Sequence, residues 1–217
     1  VLMIALAIVS AVIIKEKSIW YTRFELNSEG MPMYTTKPLN EQFGSVFPNS
    51  IQAIQNNPIF LDAKKGLCII NQTSIRDERN VVVISEKINK LIFEQIYPIP
   101  LAKVFSVDFN NKYYMSLNNK IYVYDYVNDL FYMWSSPNNF TIDYMGILDN
   151  ELCIAVSNNL LKLTTTDYKD RYYVNGTGNK DVGYPCYWRS KMFDFGVQEM
   201  YKQIEKMYLV IKPSSST

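Results

Sequence analysis

Apolar and polar residues alternate along much of this chain, in short runs that end at paired polar residues. Three stretches align without gaps: SIQAIQNNPIFLDAKKGLCI from Ser50, VFSVDFNNKYYMSLNNKIYV from Val104 and DYMGILDNELCIAVSNNLLK from Asp143. Each has a β-run, a polar pair (Asn56-Asn57, Asn110-Asn111 or Asp149-Asn150), a second run, another tight polar turn and a third run. Asn and Asp tolerate left-handed backbone, so these pairs read as hairpin turns. VIIKEKSIWY, from Val12, is a weaker copy that matches the second hairpin only. The copies are offset by about 48, 54 and 39 residues, and a mean near 47 is the period of propeller blades. The pattern predicts an all-β fold, a partial or complete β-propeller of four-stranded antiparallel blades.

The clearest blade has four runs: Val104 to Phe109, Tyr113 to Leu117, Ile121 to Tyr126 and Leu130 to Trp134. Upstream, Val1 to Glu25 reads as two or three strands. Asn27 to Gln42 reads as a loop with one short strand at Met31 to Thr35. After the run Leu67 to Asn71 come a charged loop, Ser74 to Asn80, and a strand from Val81 to Ile84. Ser85 is placed to cap one short helix, Glu86 to Gln95, with Ile88, Leu91 and Ile92 on a common face. The last copy takes Tyr172-Tyr173 as its candidate outer strand. Asn175 to Tyr184 reads as a glycine-rich loop, and Tyr187 to Phe195 and Ile204 to Lys212 as longer strands. Residues 1–174 are thus expected to hold the blades. Residues 175–217 hold the loop and a C-terminal hairpin, which is either the next blade or the start of a further domain.

Composition narrows the chemistry. The chain has no histidine, which removes Ser-His-Asp triads, Cys-His pairs and imidazole ligands. Cys68, Cys153 and Cys186 are far apart with no C-x-x-C, and the first two fall inside β-runs as core residues. A net charge of +1 selects no class of charged partner. The apolar start, VLMIALAIVSAVII, is shorter than the roughly 20 residues of a membrane span. It has no basic n-region, and reads as buried strands of a longer polypeptide. At about 47 residues per blade, the chain holds between four and five blades' worth of residues.

The remaining motifs are weak. Asp125, Asn128 and Asp129 carry oxygen donors, but three fall short of the 6–8 that calcium takes, and Asp125 suits a turn. Ser106-Val107-Asp108-Phe109 is half of an Asp box and lacks the glycine that should follow. NGTGNKDVG lacks the G-K-[ST] ending of a phosphate loop. The loop residues Arg76, Asp77, Glu78 and Arg79 form a candidate interaction site. Arg189, Lys191, Lys202 and Lys206 form a basic cluster, read either as the wet face of strands or as a contact for DNA phosphates or an acidic subunit. Tyr113, Tyr114, Tyr122 and Tyr124 are read as core, or as a platform for glycan. No catalytic, cofactor-binding or metal-binding residue is assigned, and no enzymatic activity is expected.

Three passages carry a family resemblance. GLCIINQTSIRDERNVVVISEKINKLI, from Gly66, follows a pattern of strand, variable loop, I-S-x-x-I and short helix. KVFSVDFNNKYYMSLNNKIYVYDYVNDLFYMW, from Lys103, is a blade with aromatic strands, a YDY and a terminal Trp. YWRSKMFDFGVQEMYKQIEKMYLVIK, from Tyr187, carries a W-x-S/T-K-x-F-D-F-G run before a Lys-containing strand. In this order they resemble bacteriophage tail and packaged-DNA stabilization proteins with a β-propeller domain, of the head–tail adaptor or tail nozzle type. The resemblance implies a structural virion protein of the tail or neck, assembled in the host bacterial cytoplasm. It would form a ring with copies of itself, meet other neck or tail proteins, and contact packaged DNA without sequence specificity. It implies no cofactor and no membrane span. The alternative is a non-catalytic propeller that binds glycan or protein. A glycoside hydrolase is the remote third reading, since no spacing supports a pair of catalytic carboxylates.

Overall fold

The computed structural model describes residues 3–7, 10–71, 80–96, 103–135, 141–157, 159–163, 170–174 and 178–182. The chain divides into two compact units, Val1–Tyr168 and Lys169–Thr217. Their described residues are mostly antiparallel β-sheet with one short α-helix.

The larger unit holds four sheets in chain order, each an up-and-down meander. The first contains β1 (Met3–Ala7), β2 (Ser10–Ile14), β3 (Ile19–Leu26) and β4 (Pro32–Asn40). The second contains β5 (Gln52–Ile54), β6 (Asn57–Asp62), β7 (Gly66–Ile70) and β8 (Val81–Val83). The third contains β9 (Phe105–Phe109), β10 (Lys112–Leu117), β11 (Lys120–Asp125) and β12 (Leu130–Ser135). The fourth has three strands, β13 (Tyr144–Leu148), β14 (Glu151–Val156) and β15 (Asn159–Lys162). In the smaller unit β16 (Asp170–Val174) pairs with β17 (Gly178–Val182).

The paired polar residues make the hairpins as expected. Asn110 and Asn111 have φ of 48° and 59°, and Asp149 and Asn150 have 51° and 61°, left-handed backbone that Asn and Asp tolerate better than most residues. The turn before β6 is displaced by one position: the left-handed pair is Gln55-Asn56, and Asn57 already belongs to the strand.

Period-two alternation gives each middle sheet two apolar faces, and both are buried. On β10 and β11, Tyr113, Met115, Leu117, Tyr122 and Tyr124 point one way. They share a core with Ile54, Ile59, Leu61 and Leu67 of the second sheet. The opposite face, with Val107, Tyr114, Ile121 and Val123, packs on Met145 and Leu152 of the fourth sheet. The second sheet repeats the arrangement. Its far face, Phe60, Cys68, Ile70 and Val81, meets Ile14 and Ile19 of the first sheet. The four sheets therefore stack face to face in chain order. The first strands of the second, third and fourth sheets lie together, with β9 packed against both β5 and β13.

Polar groups tie the second and third sheets together. The Tyr113 hydroxyl donates to the Ser50 carbonyl at 2.6 Å, the Ser106 hydroxyl to the Asn49 carbonyl at 2.8 Å, and Gln52 Nε2 to the Ser106 carbonyl at 2.8 Å. Helix α1 (Asn89–Ile96) closes the rim of this core with Ile92 and Ile96, while Leu91 is exposed. Ser85 does not cap it. Its hydroxyl instead accepts the Leu67 N–H at 2.7 Å and bonds Asn89 Oδ1, so the residue joins the helix to β7. Gly66 sits beneath this junction at φ 96°, and a Cβ there would collide with Ser85 and Asn89.

Four further expectations change. Most of Asn27 to Gln42 is not loop, because β4 occupies Pro32–Asn40 as a long edge strand whose prolines cost no ladder bond on the open side. The helical turn begins as a tighter 3-10 segment at Glu86–Ile88 and becomes α-helical at Asn89. Tyr172-Tyr173 does not complete the fourth sheet, since β16 takes β17 as its partner. Gly178–Val182, within the stretch read as a glycine-rich loop, is that partner strand.

Leu61 is fully buried between the second and third sheets, so Leu61→Ala should destabilise the protein by about 2–5 kcal/mol in urea unfolding. Leu26→Ala, at a site 63% exposed, should change stability by no more than about 0.5 kcal/mol. Equal effects at the two sites would contradict the shared core.

Candidate interaction surface

The acidic turn of the third sheet is a structural knot. Asp125 ends β11 and is buried. Its Oδ1 accepts the N–H groups of Val127 and Asn128, both at 3.1 Å, and its Oδ2 accepts Asn128 Nδ2 at 3.0 Å. Lys112 Nζ stands 3.5 Å from Oδ2. Asp129 accepts the Tyr124 hydroxyl at 3.1 Å. These oxygens face N–H and O–H donors, which suits a turn and opposes the calcium reading. Among the described residues, no group of three or more His, Cys, Asp or Glu side chains is placed to hold a metal ion.

The other carboxylates of this sheet and its neighbour behave similarly. Asp62 accepts the N–H groups of Lys64 and Lys65 at 2.7 and 3.0 Å, and that of Gly44 at 3.1 Å. Asp108 accepts the Tyr126 hydroxyl at 3.1 Å, and burial pushes its carboxyl up, opposed by that bond. Ser106, its companion in the half Asp box, spends its hydroxyl on Asn49. Burial pushes the Cys68 thiol up to about 12, with the negative charge of Asp62 adding to the effect, so this cysteine is an inert core group.

All four strand tyrosines singled out by sequence are buried: Tyr113, Tyr114, Tyr122 and Tyr124. The hydroxyls of Tyr113 and Tyr122 are taken by the carbonyls of Ser50 and Leu91. These rings cannot form a glycan platform. The candidate loop Arg76, Asp77, Glu78 and Arg79 lies outside the described residues, as does the basic cluster Arg189, Lys191, Lys202 and Lys206. No helix among the described residues is long and apolar enough to cross a membrane.

The exposed apolar groups lie elsewhere, and three clusters of them stand on the sheets. On β12, Leu130, Tyr132 and Trp134 point to one face and are 49%, 44% and 38% exposed. Trp134 leans on Tyr114 with ring centres 5.6 Å apart, and Phe131 stacks on Tyr124 at 4.7 Å. On the first sheet Phe24, Leu26 and Tyr34 share the face turned away from the second sheet, with Phe24 edge-on to Tyr34. On the fourth sheet Leu148 and Leu160 point away from the third, while the exposed Tyr144 ring meets Phe105 of the third sheet edge-on with centres 5.3 Å apart. Sequence reading placed Leu130 to Trp134 as a strand but did not single out its surface. The signal was present in LFYMW, a last strand with no charged residue on either face.

No protein-family model matches the chain, and no curated protein matches it. Among solved structures, the AfRom2 CNH domain is similar at 12% identity with a TM-score of 0.36. The match covers 87% of this chain and 65% of the length of that one. A TM-score of that size does not establish a shared fold.

The donors around Asp125, led by the Asn128 amide, hold its carboxyl below the ordinary 3.8. A depressed folded pKa gives stability that is complete above the unfolded value and lost as pH falls through the folded one. The melting temperature should therefore drop as pH falls below about 4. Asp125→Asn should lower stability at pH 7 and flatten that acid dependence. An acid limb unchanged in the variant would remove Asp125 from the account.

Proposed function

We propose that this chain is a structural, non-catalytic virion protein of a bacteriophage tail or neck, built as part of a β-propeller and joined with copies of itself in a ring. Two features of the larger unit support the propeller. Four consecutive antiparallel meanders stack face to face, and the first strands of the last three lie together, β9 between β5 and β13. Each end sheet also turns apolar groups away from the stack, as sheets awaiting further blades would. The family is supplied by the sequence resemblance of Gly66 to Ile92, Lys103 to Trp134 and Tyr187 to Lys212.

One observation carries the assembly role. Buried polar side chains such as Asp62, Ser85, Ser106 and Asp125 serve turns and inter-sheet ties, while large apolar side chains stand in solvent on the last strand of the third sheet. Apolar side chains exposed together mark sites of protein association. The retention or passage of DNA is part of the same proposal, and would fall to charged segments such as Arg189 to Lys206.

The test is immunogold electron microscopy with an antibody against this chain on phage particles from the source culture. Label at the neck or tail is expected. Unlabelled particles beside a labelled tail control would contradict the virion role and favour a cellular propeller that binds protein or glycan.

A further inference from the structure

The last strands of the four sheets differ in how their open edges are guarded. β4 carries Pro32 and Pro38, an exposed Lys37 and a register shift against β3. β8 is three residues long. β15 is four residues long and carries Lys162, which pairs with Glu151. Prolines, lysines, irregular register and short length are the usual means of keeping an edge from pairing with another chain. β12 has none of these. It runs six residues in unbroken register with β11, from Asp125↔Leu130 to Lys120↔Ser135. It has no proline, glycine or charge, and among the described residues no strand pairs with its other edge.

We propose that β12 pairs with β12 of a second copy of this chain, antiparallel about a two-fold axis at Tyr132. The two third sheets would become one continuous sheet. The inference deepens the assembly reading and takes its biological meaning from it, by naming where copies meet.

Alternation and charge select this occupant. Residues directly opposite in an antiparallel pair share a face. A two-fold axis normal to the sheet therefore sets Tyr132 against the second copy's Tyr132, and Leu130 against its Trp134. The exposed row on one subunit meets the same row on the other, and aromatic pairs are among the favourable cross-strand neighbours. Phe131 falls opposite Met133 on the reverse face. In such a pairing the residue on the axis meets its own copy, so a charge there would face its like. LFYMWS has no charge to place, so self-pairing meets no repulsion. The rings of Phe131 and Trp134 are already held by Tyr124 and Tyr114, which reduces the entropy lost on pairing. A two-fold contact closes as a dimer, and a ring then takes a second, different surface.

The experiment uses the full chain with Cys186 changed to Ser. Directly paired antiparallel residues have Cα atoms about 4.5–5.5 Å apart, within the reach of a disulfide. Tyr132→Cys should convert to a covalent dimer under mild oxidation. Val127→Cys, 63% exposed but off the strand, should remain monomeric under the same conditions. In sedimentation velocity the parent chain should shift from monomer to dimer as concentration rises. Tyr132→Lys, which opposes two ammonium groups on the axis, should stay monomeric with an unchanged far-ultraviolet spectrum. A parent chain monomeric at every concentration, equal cross-linking at both cysteines, or a dimer that survives Tyr132→Lys would each overturn the inference. Immunogold label on particles whose subunit fails these tests sinks the edge pairing alone. Dimers of a chain absent from particles sink the virion role alone.

Discussion

The fold depends on the two central strands of the third sheet, β10 and β11, having no face left for water. One side of β10 and β11 lies against the second sheet, the other against the fourth. A hairpin of these strands in isolation would expose Met115, Leu117 and Tyr122 on one face and Tyr114 and Val123 on the other. Two-stranded ribbons are marginal in water even with one apolar face. The sheet is stable because it is flanked, and the same holds for the second sheet, between the cores of Leu61 and Phe60. Stability is then a property of the stack, built from nearest-neighbour contacts as in other repeat folds.

The polar groups follow from that constraint. Strands buried on both faces leave only their ends for polar side chains, and an unpaired polar atom there is costly. The hydroxyl of Tyr113 reaches a backbone carbonyl of the neighbouring sheet, and Asp62 and Asp125 close their turns by accepting backbone N–H groups. Carboxylates spent this way are poorly placed for acid–base work or metal binding. Among the described residues, exposed apolar side chains remain on β12 and on the outward faces of the first and fourth sheets.

The hairpins were legible in the sequence because the information is local. Asn110-Asn111 and Asp149-Asn150 combine tolerance of positive φ with alternating flanks, and both turns form where they were read. What depended on remote partners was not legible. Pro32 and Pro38 argued for loop, and only the open edge beside β4 reconciles them with a strand. Ser85 looked like a helix cap, but the Leu67 N–H, 18 residues away, claims its hydroxyl. Tyr172-Tyr173 looked like the missing fourth strand, yet pairs with a segment whose glycines disguised it. Tyr132 and Tyr122 have the same residue type and similar flanks. One is exposed and the other buried because β12 is last in its sheet and β11 is not.

Native-state hydrogen exchange tests the central claim most directly. The slow amides of β6, β7, β10 and β11 report whether the second and third sheets open separately or as one. If each sheet is held by its neighbour, these amides share one opening free energy and respond together to added denaturant. Third-sheet amides that keep their protection while those of β6 and β7 exchange freely would contradict it, because the third sheet would then be standing without its flank.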